Sequence, residues 1–385
     1  MAQQAKTMFI VALGIAACAV VLLLFLEVEV QWKVAALATG VVAVLLVMEK
    51  SGLRVRMEEA SARHRTFALS LAVAASLVVA ATLHESHFAL LMLASVALYA
   101  TACLGLTIQF GYAGIANFAG AAFFGIGCYS AAVLSAYTPV PHLLVIIAGA
   151  AIAALISSVL ILPILRTRGH YAALITIAFG ILFKTFLEVN DTLGGPQGLK
   201  VPGMQILGWS FNDPIRLGAG IEASFYLNYV VLSVLLAAFA FVVVKRLERS
   251  WIGLNLDAVR LDETAAAVSG IDIARWKILA FVFGNFLVGM AGAVYAMLTG
   301  FIAPANFTFG DSLILVSIVI LGGVGNPLGV ILAALLLLIL PEKLQVIQEY
   351  RFLLYALLVI VILLFRPQGL LPRRLREYFP GRLRA

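Results

Sequence analysis

Side chains able to do covalent, metal or proton chemistry are few here and poorly grouped for it. Five histidines, His64, His84, His87, His142 and His170, stand in or at the edges of polar connections, and only His84 and His87 are neighbours. The stretch "HESH" around them offers two imidazoles, short of the ligand set that a bound zinc ion takes. Cys18, Cys103 and Cys128 lie inside apolar runs with no pairing or ligand spacing, the pattern of packing residues. No G-x-x-x-x-G-K-[ST] sequence occurs, so the chain has no phosphate-cradling loop of that kind. No catalytic constellation emerges, and if the chain's work costs ATP, another subunit must hydrolyse it.

Ionisable groups within apolar stretches are costly in a bilayer and mark a pathway by default. Lys184 and Glu188 lie four residues apart, on one helix face, where they can simply pair. Asp311 opens another apolar stretch. No acid lies near the middle of a stretch, which argues against a proton- or sodium-driven carrier. The segment "GYAGIANFAGAAFFGIGCYSAA" (111 to 132) sets glycines at close spacing beside Asn117 and Ser130. Such residues suit close helix approach, or a backbone that leaves the helix to line a cavity. Asn117, Phe118 and Tyr129 from this segment, with Asn306 from a later turn, are the translocation-path candidates, and simple packing is the competing reading.

The passage "GLNLDAVRLDETAAAVSGIDIARWKILAF" (253 to 281) carries charge amid apolar surroundings. Leu254, Ala258, Leu261, Ala265 and Val268 recur at helical spacing, with Asp257, Arg260, Asp262 and Glu263 on the other positions. The spacing predicts one amphipathic helix over 253 to 270, ended by Gly270 in a left-handed turn. Its polar face is mixed and leans acidic, which favours a protein groove over a lipid surface. Ala265, Ala266 and Ala267 would let a partner come close.

The elements that must position these residues are membrane spans. Of 385 residues 63% are hydrophobic and 12% charged, with mean hydropathy +1.08. A bilayer-spanning helix needs roughly 20 mostly apolar residues, and runs such as "LLVIIAGAAIAALISSVLILPIL" are apolar on every face, unlike the alternation of a barrel strand. The fold class is therefore all-α, a polytopic helical membrane protein with about 10 to 12 transmembrane segments. The spans fall near 7–26, 31–48, 66–83, 88–108, 119–137, 142–165, 171–188, 225–247, 276–299, 310–321, 328–340 and 351–365. "IAAC" before Cys18 has the look of a lipidation signal, but the apolar run continues past it, as a first span does.

Alternate connections then separate by charge: twenty of the 26 basic residues fall on one side, which makes that side, with both termini, cytoplasmic. The net charge of +7 is explained by this orientation and calls for no nucleic acid, and the arginine-rich tail reads as a cytoplasmic anchor touching membrane lipid. The connections 109–120 and 322–329 carry no charge and are rich in glycine, so they are re-entrant or join broken helices. The loop "NDTLGGPQGLKVPG" (190 to 203) is too rich in glycine and proline for a helix and reads as an external docking surface, gate or linker.

Together, "GYAGIANFAGAAFFGIGCYSAAVL", "LRTRGHYAALITIAFG", "NDTLGGPQGL", the charged passage, "FIAPANFTFGDS", "VILGGVGNPLG" and "FRPQGLLP" resemble, in this order, the LivM-type permeases of branched-chain amino acid ABC importers. The resemblance covers roughly residues 88–372 and implies an ABC importer permease core there, with a cytoplasmic coupling loop at about 248–275. Residues 1–87 read as additional N-terminal spans and 373–385 as a basic cytoplasmic tail. The resemblance implies a subunit of the bacterial inner membrane that is not itself an enzyme and holds no cofactor. Its partners would be a LivH-type permease, two ATP-binding subunits carrying ATP and Mg, and a periplasmic substrate-binding protein that delivers a branched-chain or other hydrophobic amino acid. It places ATPase coupling on Asp257, Arg260, Asp262, Glu263, Thr264, Ala265, Ala266 and Gly270. Two positions depart from the family pattern: Thr264 stands where a glutamate often opens the Glu-Ala-Ala sequence, and Ile181 follows Ala178-Phe179-Gly180 where an acidic residue is common. Urea or short amides are the alternative cargo, because related permeases share these motifs.

Overall fold

The computed structural model describes residues 2–28, 65–167, 171–206, 208–216 and 222–343, with scattered positions at 33–40 and 350–373. Ten of its helices fall on ten of the twelve apolar stretches. These are α1 (Ala2–Glu27), α2 (Arg65–Thr82), α3 (His87–Thr107), α4 (Gly120–Tyr137), α5 (His142–Leu165), α6 (Tyr171–Val189), α7 (Tyr226–Arg249), α10 (Ile273–Thr299), α11 (Phe309–Gly322) and α12 (Pro327–Lys343). Between α7 and α10 lie two shorter ones, α8 (Trp251–Leu261) and α9 (Glu263–Val268). Seven helices among the described residues are long and apolar enough to cross a membrane. Most of the stretches 31–48 and 351–365, with His64, His170 and the tail beyond Arg373, lies outside the described residues.

Helix α10 is the centre of the bundle, with most of its residues from Ala280 to Leu298 buried against α3, α4 and α5. Small residues make this possible. A Cβ on Gly127 would collide with the Gly289 carbonyl oxygen, and one on Gly292 with that of Phe124. Gly127 of the 111–132 segment thus serves close helix packing, where backbones approach without side chains between them, while Gly120 and Gly125 make room for the side chains of Leu106 and Phe307. The opposite extreme is α6, which exposes Tyr171, Leu174, Ile181, Leu182, Phe186 and Val189 along one stripe.

Contacts between connections divide the molecule into two ends. At one end the strand β1 (Leu199–Lys200) pairs antiparallel with β6 (Phe301–Ile302), His87 Nδ1 lies 2.5 Å from Ser224 Oγ, and Lys343 Nζ donates to the Leu26 carbonyl. The hairpins β2 (Gln205–Ile206) with β3 (Trp209–Ser210), and β4 (Ile215–Arg216) with β5 (Glu222–Ala223), belong to this end too. At the other end Gly111, Arg260, Gly325 and Arg373 meet. These groups are the ones the alternation of basic connections separates.

Neither charge-free connection is a plain loop. The first continues α3 through a π turn (Ile108–Ala113), reverses at Gly114 (φ 69°), and runs without helix to Gly120. The second is the tight turn between α11 and α12, where Gly322 and Gly329 abut. Helix α11 has 14 residues, about 21 Å at 1.5 Å each, against a hydrocarbon layer of about 30 Å. With the 3₁₀ turn Pro304–Asn306 at its start it makes a 19-residue unit, Pro304–Gly322, that is one of the seven long enough to cross.

Candidate docking and coupling site

The charged passage forms two helices where its periodicity predicts one. Asp262 leaves helical geometry (φ −157°, ψ 108°), and its carboxylate accepts from the Thr264 and Ala265 amides at 2.8 and 3.0 Å. An aspartate can cap a new helix as readily as it can continue an old one, and the cap wins here. Helix α9 then ends as expected: Gly270 takes φ 79°, its amide donates to Ala267 and that of Ile271 to Ala266.

The predicted stripe faces outward. Leu254 is 45% exposed, Leu261 66% and Val268 86%, and Ala265 is exposed as well. Inward-facing positions are Gly253, Leu256, Asp257 and Val259 on α8 and Ala266 on α9. Asp257 and Ala266 therefore hold the segment to its own chain and are not part of an open docking face. Glu263 Oε1 lies 2.6 Å from Lys277 Nζ, which braces α9 against the start of α10, and Thr264 is exposed beside it. Trp251 meets Trp276 edge-on at 5.2 Å between ring centres.

Asp257 is buried because it has a partner 116 residues away. Arg373 Nη1 and Nη2 donate to its two carboxylate oxygens at 2.6 and 2.8 Å. This planar fork is the geometry in which arginine binds a carboxylate most strongly. The same Nη1 donates to the Gly111 carbonyl at 3.1 Å, and the guanidinium lies 4.4 Å from the centre of the Tyr112 ring. Arg260 also donates to the Gly111 carbonyl. Gly111 belongs to the last turn continuing α3, where carbonyls lack helical partners and carry the negative end of the helix dipole. Burial alone lowers the pKa of Arg373, but the bond and charge of Asp257 outweigh it and hold the group above its ordinary value. Burial lowers that of Arg260, and the neighbouring Arg373 lowers it further.

A second polar cluster secures the break after α3. Asn117 Nδ2 donates to Gln109 Oε1 (2.7 Å) and Asn285 Oδ1 (3.2 Å), while Gln109 Nε2 donates to Asn285 Oδ1 (3.0 Å) and the Phe281 carbonyl (3.2 Å). Asn117 Oδ1 accepts from the Ala119 amide, and the Phe118 amide donates to Thr176 Oγ1. Asn117 is fully buried, with its amide occupied in bracing the break. The four translocation-path candidates are not gathered in one place. Tyr129 is buried midway along α4 against Phe307 (5.9 Å between ring centres), and Asn306 is exposed at the far end.

Other singled-out charges have local explanations. Lys184 and Glu188 pair at 3.3 Å, and Asp311 forms a capping box with Thr308 at the start of α11. Among the described residues no group of three potential metal ligands occurs.

Residues 88–364 match the family described as branched-chain amino acid transport system / permease component. The chain belongs to that family. It is 33% identical over 282 residues to the high-affinity branched-chain amino acid transport system permease protein LivM of Escherichia coli K12, covering 70% of this chain and 66% of that protein. It is 25% identical over 326 residues to a probable LivM of Methanocaldococcus jannaschii (72% and 91%), and 24% over 289 residues to LivH of Salmonella typhimurium (71% and 91%). The chain thus spans slightly under two thirds of the E. coli relative. No solved structure matches it.

Sequence reasoning missed Arg373, Gln109 and Asn285. Arg373 is one of six arginines in the C-terminal stretch, and no spacing distinguishes it. The two carboxamides sit singly in apolar helices, a weak signal that becomes legible only when α10 packs against the break after α3.

Proposed function

We propose that this multi-pass membrane protein is a permease subunit of an ATP-driven importer for branched-chain amino acids in the bacterial inner membrane, with both termini cytoplasmic. The observation that carries the reading is the outward stripe of α8 and α9, Leu254, Leu261, Ala265 and Val268, held rigidly at the basic end of the bundle. An apolar helical face presented at the polar end of a membrane bundle is the kind of surface a soluble partner's groove covers. Its partners are an ATP-binding subunit pair that holds ATP and Mg, a LivH-type companion permease and a substrate-binding protein on the opposite face. Family membership and the names of the relatives support branched-chain amino acids as cargo.

The test is uptake by the complete transporter in liposomes with its binding protein, using leucine and urea in parallel. ATP-driven leucine uptake is the expected result; uptake of urea without leucine would overturn the cargo. The docking face is tested with Leu261→Asp and Val268→Asp, because deleting 257–270 would also remove buried Asp257. Both substitutions should abolish copurification of the ATP-binding subunits while leaving membrane insertion intact.

A further inference from the structure

We propose that Arg373 is a positioning residue that ties the docking segment to the break between α3 and α4, so that movement of α8 is passed directly to that break. The inference rests on the transport reading above. One guanidinium touches three elements: α8 through both oxygens of Asp257, the π turn ending α3 through the Gly111 carbonyl and the Tyr112 ring, and α7 through Glu248, whose Oε1 lies 3.6 Å from Nε. Its own backbone is anchored nearby, since the Leu370 and Leu371 amides donate to the Leu321 and Gly322 carbonyls at the α11–α12 turn. Gly325 of that turn lies so close to Gly111 that a Cβ would not fit between them. The side chain is only 7% exposed, so the link is a seated contact and not a loose surface pair.

The geometry also explains why the break can respond. The Gly114 and Ile115 amides close the π turn onto the Gln109 carbonyl, the Ala119 carbonyl accepts the first bond of α4, and the residues between them belong to no helix, with Asn117 braced on Gln109 and Asn285. Element-terminal residues of this kind absorb dihedral changes without unwinding a helix. Arg260 pulls on the same Gly111 carbonyl, so a displacement of α8 reaches the break through two guanidiniums.

In the assembled transporter, Arg373→Gln should leave ATP-binding subunits attached and hydrolysing ATP, while solute taken up per ATP falls about tenfold. Arg373→Lys, which keeps charge but loses the fork, should recover part of it. Uptake per ATP equal to wild type would overturn the proposal, as would uptake and hydrolysis falling in proportion. Hydrogen exchange on the purified full chain separates this from the transport reading. Arg373→Gln should speed exchange about tenfold in both 253–261 and 111–115; unchanged exchange would sink the link. Absence of ATP-driven uptake by the wild type would sink only the transport reading.

Discussion

Two ion pairs of opposite character show how this molecule uses charge. Lys184 and Glu188 sit one helical turn apart on α6, each side chain more than a third exposed. Asp257 and Arg373 come from opposite ends of the final 130 residues, meet through two short hydrogen bonds, and expose 12% and 7% of their side chains. The first pair decorates one helix; the second decides where a helix sits. Burial makes the difference, because removing one member of a buried pair strands the other without water to solvate it.

The comparison is broken most severely at Asp257. Asp257→Ala removes the fork, leaves Arg373 only Glu248, 3.6 Å from its Nε, as a counter-charge, and should destabilise the chain by about 3 kcal/mol, read as a lower midpoint of thermal unfolding in detergent. The double variant Asp257→Asn/Arg373→Gln should cost clearly less than the sum of the single variants. Additive losses would mean that the two side chains do not act together. Between the extremes lies Asp262, a purely local cap. Asp262→Ala should cost about 1 kcal/mol and raise hydrogen exchange in α9 alone. Lys184→Met should be the mildest, shifting stability by no more than about 0.5 kcal/mol. A loss as large as that of Asp257→Ala would remove the distinction between the two pairs.

This ranking follows what could and could not be read in the sequence. The i, i+4 spacing of Lys184 and Glu188 predicts their contact directly, as apolar run length predicts α5 and α7 and as Gly270 predicts the end of α9. Each is a property of neighbours along the chain. The alternation of basic connections likewise separates the loops that touch at either end of the bundle. Asp257 looks in sequence like one more solvated charge on an amphipathic helix, because its partner lies beyond four further helices, α9 to α12. The break at Asp262 is hidden for a different reason: apolar periodicity runs straight across it, and only the aspartate's own cap interrupts the helix. Gln109, Asn117 and Asn285 are scattered through 177 residues and become a cluster only when α10 packs against the break after α3.

The central claim is that the uncovered face of α8 and α9 receives the ATP-binding subunit. It is tested most directly by placing a single cysteine at Val268, the most exposed apolar residue of that face, in a background lacking the three native cysteines. In membranes containing the assembled transporter, a short cross-linker at this position should join the chain to the ATP-binding subunit, and soluble thiol reagents should be excluded. Full labelling of that cysteine in the assembled transporter, with no cross-link formed, would contradict the account.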